Sequence, residues 1–420
     1  MDKVLIFSYF FPPVGGSAVQ RIQKFVKYLP QNDWEPIVIT IKKIAFGAED
    51  DQLLNEIGPV RIYRTEGITP LRFFQIIGAG KQSAIGENSR HLFRNVFPID
   101  SRIGWIPFAV KQGSKICRSE SIKAVLATIG PYSAAVAAYL VARKVGLPLV
   151  IDYRDLWQGN SELFYLTKAL RKYSYRWEES ILEYASAVIM NTNSARDEIR
   201  KLYPRIEPHK FEVIPNGWDQ SDFLDLQPAM NSKISFTYAG SLSGLRSPKY
   251  LLKAVREQKL DLEDNVIFRF IGNYNQEIRI LLMDDDLSDI VKVEQSLAHR
   301  EVLAEMLGST FLMLIVPPDH SRNAIPAKVY EYLACRRPII ILAPPGSEVV
   351  ELLHKHQAAM VAPYDDPKLI AELLKKAVQL ARSGKLETEF PLQKNNYQEF
   401  ERSYLTKKLA GIMRKVSIDS

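Results

Sequence analysis

The chain has 420 residues, 46% hydrophobic and 25% charged, the composition of a globular protein long enough for two domains. Its two cysteines, Cys117 and Cys335, lie far apart and outside any CxxC or Cys/His cluster, which excludes a disulfide framework and a structural zinc site and points to a reducing compartment. The net charge of +7 is concentrated: residues 61–118 hold ten Lys or Arg against three acids, leaving the remainder near neutral.

Met1-Asp2-Lys3 runs straight into a short apolar stretch, without the layout of a secretory signal. Val4–Phe7 reads as a buried strand. It leads through Tyr-Phe-Phe-Pro-Pro-Val-Gly-Gly-Ser into a helix from Ser17 with Val19, Ile22, Val26 and Leu29 on its apolar face. Residues 36–41 form a β-branched strand, completing a βαβ unit of a parallel sheet. The stretch 61–118 mixes its cations with Leu71, Phe73, Phe74, Ile76, Ile77, Phe93, Val96, Phe97, Trp105 and Phe108. That mixture suits an anionic membrane surface, where each cation near the headgroups contributes about 1 kcal/mol. The alternative is a solvated basic face whose aromatics are core. No recognition-helix, RNP or zinc-finger pattern accompanies the charge, so nucleic acid is not the expected partner.

Residues 124–128, 148–152, 187–191 and 211–214 are further strand candidates separated by helical segments, so the first domain reads as doubly wound and ends near Trp218. The uncharged window 124–142 contains Gly130-Pro131-Tyr132-Ser133 and reads as strand, turn and helix start, not as a membrane span. A polar linker, 219–232, opens a second series: a strand at 234–238, a helix from Pro248 to Glu257, and strands at 266–271, 311–316, 339–342 and 359–361. A last amphipathic helix is expected over 397–416, with Tyr397, Phe400, Tyr404, Leu409 and Met413 at helical spacing. The expected domains are 1–218, 219–395 and a closing helical segment, 396–420, facing one another across a cleft at the strand carboxyl ends.

Several segments carry residues suited to a polyanionic, hydroxyl-rich ligand. Gly15 and Gly16 follow a strand and precede a helix, where backbone amides and the helix start favour an anion, although the spacing is neither GxGxxG nor a Walker loop. Gly240-Ser241-Leu242-Ser243-Gly244-Leu245-Arg246 repeats that design in the second domain and adds a cation able to grip phosphate. The run Asn323-Ala324-Ile325-Pro326-Ala327-Lys328 enters a helix on which Lys328 and Glu331 share a face, placing a cation and a carboxylate together. Asp152, Arg154 and Asp155 sit at a strand carboxyl end, either as an internal ion-pair network or as hydroxyl-binding groups, and Pro131, Tyr132 and Ser133 occupy an equivalent place. Asp284-Asp285-Asp286 reads as a solvated run. The six histidines show no ligand spacing, and GxSxG, HExxH and Cys–His patterns are missing.

Taken in order, Phe-Pro-Pro-x-Gly-Gly near the start, Asp-x-Arg-Asp-x-Trp at 152–157, Val-Ile-Pro-Asn-Gly-Trp-Asp at 213–219, Tyr-Ala-Gly-Ser-Leu at 238–242 and Pro-Ala-Lys-Val-Tyr-Glu-Tyr-Leu-Ala at 326–334 resemble the bacterial glycosyltransferases of family four. The resemblance implies GT-B architecture, with two doubly wound, Rossmann-like α/β domains and a C-terminal helix packing back on the first. It also implies transfer of a sugar, with retention, from a nucleotide-diphosphate sugar (UDP-linked by preference) to a lipid-linked or glycan acceptor in cell-surface polysaccharide synthesis. Neither metal nor other cofactor is implied, and the place of work is the cytoplasmic face of the membrane, with residues 61–118 on the anionic lipid.

By the same resemblance Glu331 matches the second acid of the family's paired-glutamate motif and contacts the ribose hydroxyls, while the first acid is replaced by Asn323. Gly15, Gly16, Ser241, Ala324, Ile325 and Pro326 are expected beside the donor, with Ser241 standing where relatives carry arginine. Arg246 then joins Lys328 as the catalytic phosphate clamp. Pro131, Tyr132, Ser133, Asp152, Arg154 and Asp155 fall on the acceptor or sugar side. A sugar-nucleotide epimerase of the same architecture and a non-catalytic membrane-surface scaffold are the competing readings.

Overall fold

The structure, a computed structural model, describes residues 1–42, 52–68, 97–159, 165–242, 244, 246–258, 265–318 and 324–418. Two compact units divide the chain: Met1–Pro215 with Arg402–Ser420, and Asn216–Glu401.

The first unit is built on seven described strands: β1 Asp2–Phe7, β2 Trp34–Ile41, β3 Arg61–Thr65, β4 Ile122–Ile129, β5 Leu149–Tyr153, β6 Ala187–Met190 and β7 Phe211–Val213. They pair in parallel in the order β3-β2-β1-β4-β5-β6-β7. Parallel strands are joined by crossover helices that cover both faces, which is why apolar runs such as Val4–Phe7 have no polar side and are fully buried. One face packs Leu5, Phe7, Ile37 and Ile39 against the helices Ile106–Ser119 and Ser133–Val145. The other packs Val4, Ile6 and Val38 against the helix Ser17–Tyr28 and the C-terminal helix Arg402–Ile418.

The second unit has six described strands: β8 Ile234–Ala239, β9 Val266–Ile271, β10 Val291–Glu294, β11 Phe311–Ile315, β12 Ile339–Leu342 and β13 Ala359–Ala362. All are parallel, in the order β10-β9-β8-β11-β12-β13. The sheet order reverses between β1 and β4 in one unit and between β8 and β11 in the other, the topological switch points at which such sheets take ligands beyond their carboxyl ends.

The C-terminal segment differs from expectation. Tyr397–Phe400 is a separate 3-10 turn whose Tyr397 and Phe400 lie in the core of the second unit. The Phe400 carbonyl accepts the Trp218 N–H at 3.0 Å, and Glu401 bridges to Trp218. The helix proper starts at Arg402 and sends Leu405, Leu409 and Met413 into the core of the first unit, while Tyr404 is exposed. Two short apolar series serving two cores thus read as one stripe, because helical spacing carries no record of which core a residue faces.

The basic stretch is part structural. Arg61 pairs with Glu35 at 2.6 Å and Glu120 at 2.5 Å, and the buried Trp105 donates its indole N–H to Thr65. Leu71, Arg72, Phe73, Phe74, Ile76, Ile77, Lys81, Arg90, Phe93, Arg94 and Val96 lie outside the described residues. Among the described residues no helix is long and apolar enough to cross a membrane.

Candidate active site

Gly240, the first residue beyond β8, has a φ of +123°, a conformation that favours glycine. A Cβ there would fall against Lys328 Nζ, and a Cβ on Gly272 would lie 2.5 Å from the Gly240 carbonyl oxygen. The two bare positions let the ends of β8 and β9 close together and let Lys328 reach across the switch point from the segment after β11. There its ammonium donates to the Ala239 carbonyl at 2.6 Å and to the Tyr238 hydroxyl at 3.4 Å, and sits 4.4 Å from the centroid of the Tyr238 ring.

Burial of Lys328 is the largest of three influences on its ammonium. With the charge of Arg246 adding to it and Glu331 opposing, its pKa falls to about 7. Burial likewise pushes the Tyr238 phenol up to about 12, against the pull of Arg246. The half-buried Arg246 guanidinium is therefore within electrostatic reach of both groups. The charge of Arg246 thus disfavours the charged form of Lys328 at this switch point, an effect that a bound anion would offset.

Glu331 stands one helical turn from Lys328, on the helix Lys328–Cys335, and its Oε1 takes a hydrogen bond from His299 Nε2 at 3.0 Å. Ser241 is exposed, and its carbonyl accepts the Tyr238 hydroxyl at 2.9 Å. Ile325 is buried in the core, Ala324 and Pro326 are half-buried, and Asn323 lies outside the described residues.

In the first unit, Gly15 is half-buried, and Gly16, exposed with φ +102°, leads into the helix Ser17–Tyr28. Three residues expected on the acceptor side are buried and internally committed. The Asp152 carboxylate takes three hydrogen bonds from Arg21, whose remaining donors reach the Ile214 and Pro215 carbonyls at 2.8 Å, and a fourth from the Thr128 hydroxyl at 3.0 Å. Of the two readings open for this run, Asp152 takes the ion-pair one, with Arg21 and not with its neighbour Arg154. Tyr132 stacks on Trp157 with centroids 4.8 Å apart and donates to the Leu156 carbonyl at 2.7 Å. The Ser133 N–H and hydroxyl both go to Asp100.

Arg154 and Asp155 keep surface, 23% and 53% of their side chains, with 3.4 Å between Nε and Oδ2, and Pro131 is half-buried beside them. The turn that carries them is anchored by Glu178, which accepts the Gln158 N–H at 3.0 Å and the hydroxyls of Tyr153 and Tyr203. Burial raises that carboxyl to about 7.

Residues 14–222 match the family described as Glycosyltransferase Family 4, and residues 226–394 match Glycosyl transferases group 1. The chain belongs to the family-four glycosyltransferases. No curated protein sequence matches this glycosyltransferase significantly. Its fold is similar to that of sucrose-phosphate synthase from Thermosynechococcus elongatus, with a TM-score of 0.65 and 13% identity over 100% of both chains. Anabaena Alr3699/HepE, solved in complex with UDP, gives 0.63 and 13% over 99% of this chain and 100% of its own. A putative UDP-N-acetylglucosamine 2-epimerase from Listeria monocytogenes gives 0.60 and 11% over 100% and 97%. Identities this low establish the shared GT-B fold alone.

Two groups at the glycosyltransferase's switch point were not singled out from sequence. Tyr238 sits within the Tyr-Ala-Gly-Ser-Leu motif, so its position was visible although its contact with Lys328 was not. His299 pairs with a residue 32 positions away, which no local spacing rule detects.

Proposed function

We propose that this nucleotide-sugar glycosyltransferase moves a sugar from a UDP-linked donor to a lipid-linked glycan, with retention of anomeric configuration, in the synthesis of a cell-surface polysaccharide. The observation that carries the reading is the convergence of Lys328 and Arg246 at the β8/β11 switch point. A diphosphate lodged there meets both cations beside the Gly240 loop. As the bond to the leaving phosphate stretches, the sugar becomes oxocarbenium-like and the nucleoside diphosphate gains charge. Fixed donors that meet this charge stabilise the transition state more than the ground state, and losing one costs roughly 2.7–4 kcal/mol.

In this scheme the departing phosphate takes the acceptor proton, as the family resemblance implies, so the reaction uses neither a metal nor a dedicated carboxylate base. Glu331 contacts the ribose, in keeping with its motif position. The acceptor belongs to the first unit, where residues 61–118 carry a net charge of +7 suited to an anionic lipid face.

The test is kinetic. Lys328→Ala and Arg246→Ala lower turnover by about two orders of magnitude or more while thermal unfolding is unchanged, and a panel of UDP-, GDP- and dTDP-sugars shows the largest thermal shift with UDP. NMR of the product gives the anomeric configuration of the donor. Wild-type kinetics in both variants would remove the clamp, and a new nucleotide sugar formed from donor alone would replace transfer with epimerisation.

A further inference from the structure

His299 opens the helix His299–Gly308, which faces the helix carrying Lys328 and Glu331. Its position is tightly set by the two residues that follow it in sequence. The Glu301 carboxylate turns back to accept the Ala298 N–H at 3.0 Å, closing the first turn. Arg300 donates to the Ser221 carbonyl at 3.3 Å and to the Leu224 carbonyl at 2.5 Å, tying the helix start to the segment that opens the second unit. The imidazole is therefore presented from a fixed helix end, not from a loose loop.

Its Nε2 meets one oxygen of the Glu331 carboxylate. Nε2 lies 3.0 Å from Glu331 Oε1, and a carboxylate only accepts, so Nε2 carries the proton. Among the described residues no hydrogen bond reaches Oε2, although the Glu331 side chain is only 22% exposed. Lys328, a charged group on the same helix, is turned away to the Ala239 carbonyl. A carboxylate held on one oxygen and open on the other is suited to a ligand hydroxyl, because rotation about its last bond is stopped before the ligand arrives.

We propose that His299 is a positioning residue for the donor: by holding Oε1 it aims Oε2 of Glu331 at a ribose hydroxyl of the nucleoside diphosphate. The proposal rests on the reading of Glu331 as the ribose contact. Its ligand class is a ribonucleotide as opposed to a deoxyribonucleotide, since only the former offers both hydroxyls.

The experiment separates the two layers. UDP and 2′-deoxy-UDP are titrated calorimetrically into the wild-type chain and into Glu331→Ala, His299→Ala and His299→Gln, with thermal unfolding as the folding control. The wild type prefers UDP, and Glu331→Ala binds both alike. His299→Ala narrows the preference about five- to tenfold, the effect of one lost hydrogen bond of ordinary strength, through weaker UDP binding alone. His299→Gln, whose amide N–H can replace Nε2–H, restores most of it. A wild-type preference in His299→Ala, with the preference gone in Glu331→Ala, overturns the role of His299 and leaves the ribose reading standing. A wild-type preference in Glu331→Ala overturns the ribose reading and the proposal with it.

Discussion

The strongest test of the switch-point site is the pH dependence of nucleotide binding, because Lys328 titrates near 7 in the free protein against 10.5 for an ordinary lysine. Burial and the charge of Arg246 lower it, and a diphosphate placed against both cations reverses the second influence and raises the value again. Binding above pH 7 then takes up a proton, and affinity falls by as much as about tenfold per pH unit. Between pH 7 and pH 9 the expected weakening is about 50-fold, or about 2.3 kcal/mol. The last phosphate ionisation, near pH 6, is essentially complete over this range and contributes little. Calorimetric titration of UDP at pH 7, 8 and 9, in buffers of different ionisation enthalpy, should show uptake of close to one proton at pH 8. Lys328→Met should bind at pH 7 at least as weakly as the wild type at pH 9 and show a flat profile. Stability runs the opposite way. With the lysine pKa depressed on folding, the unfolded chain holds more protons between pH 7 and 10.5, so the second unit gains stability as pH rises while UDP affinity falls. A wild-type dissociation constant that changes less than about twofold from pH 7 to pH 9, or an equal slope in Lys328→Met, would refute the placement of the diphosphate.

Asp152→Ala leaves the Arg21 guanidinium, 2% exposed, without its carboxylate and should destabilise the first unit by about 3–5 kcal/mol in chemical denaturation, with Arg21→Met/Asp152→Leu recovering most of the loss. A loss below about 1 kcal/mol would show that the pair is not desolvated. Gly240→Ala forces a φ of +123° on an L-residue and pushes a Cβ toward Lys328 Nζ, so the second unit should lose about 1–3 kcal/mol of stability and UDP affinity should fall with the unit still folded. Wild-type affinity in that variant, measured in the same titration, would detach the loop backbone from the lysine.

How far the site could be read from sequence depended on distance along the chain. Lys328 and Glu331 are three apart on one helix, and helical geometry alone puts them on one face. The glycines of 240 and 244 announce a special turn because their conformations exclude other residues at low cost. Asp152 shows the opposite case. Its neighbour Arg154 looked like its partner, but β5 ends at Tyr153 and leaves Arg154 in the turn beyond, while Asp152 points inward to Arg21, 131 positions earlier. Tyr132 and Ser133 occupy the right end of a strand yet are taken up by Trp157, Leu156 and Asp100, so position in the topology was legible and availability was not.

The sequence by itself determined two doubly wound parallel sheets, the order of their elements and the strand ends from which ligand-binding segments arise. These follow from hydrophobic periodicity and from the stereochemistry of glycine and proline, which act over a few residues. Tertiary structure alone decided that Arg246 and Lys328 share one field, that His299 holds Glu331, that Asp152 is sealed against Arg21, and that Tyr397 and Met413 serve different cores. Such pairings are settled by packing and desolvation between segments tens to hundreds of residues apart, and no local pattern encodes them.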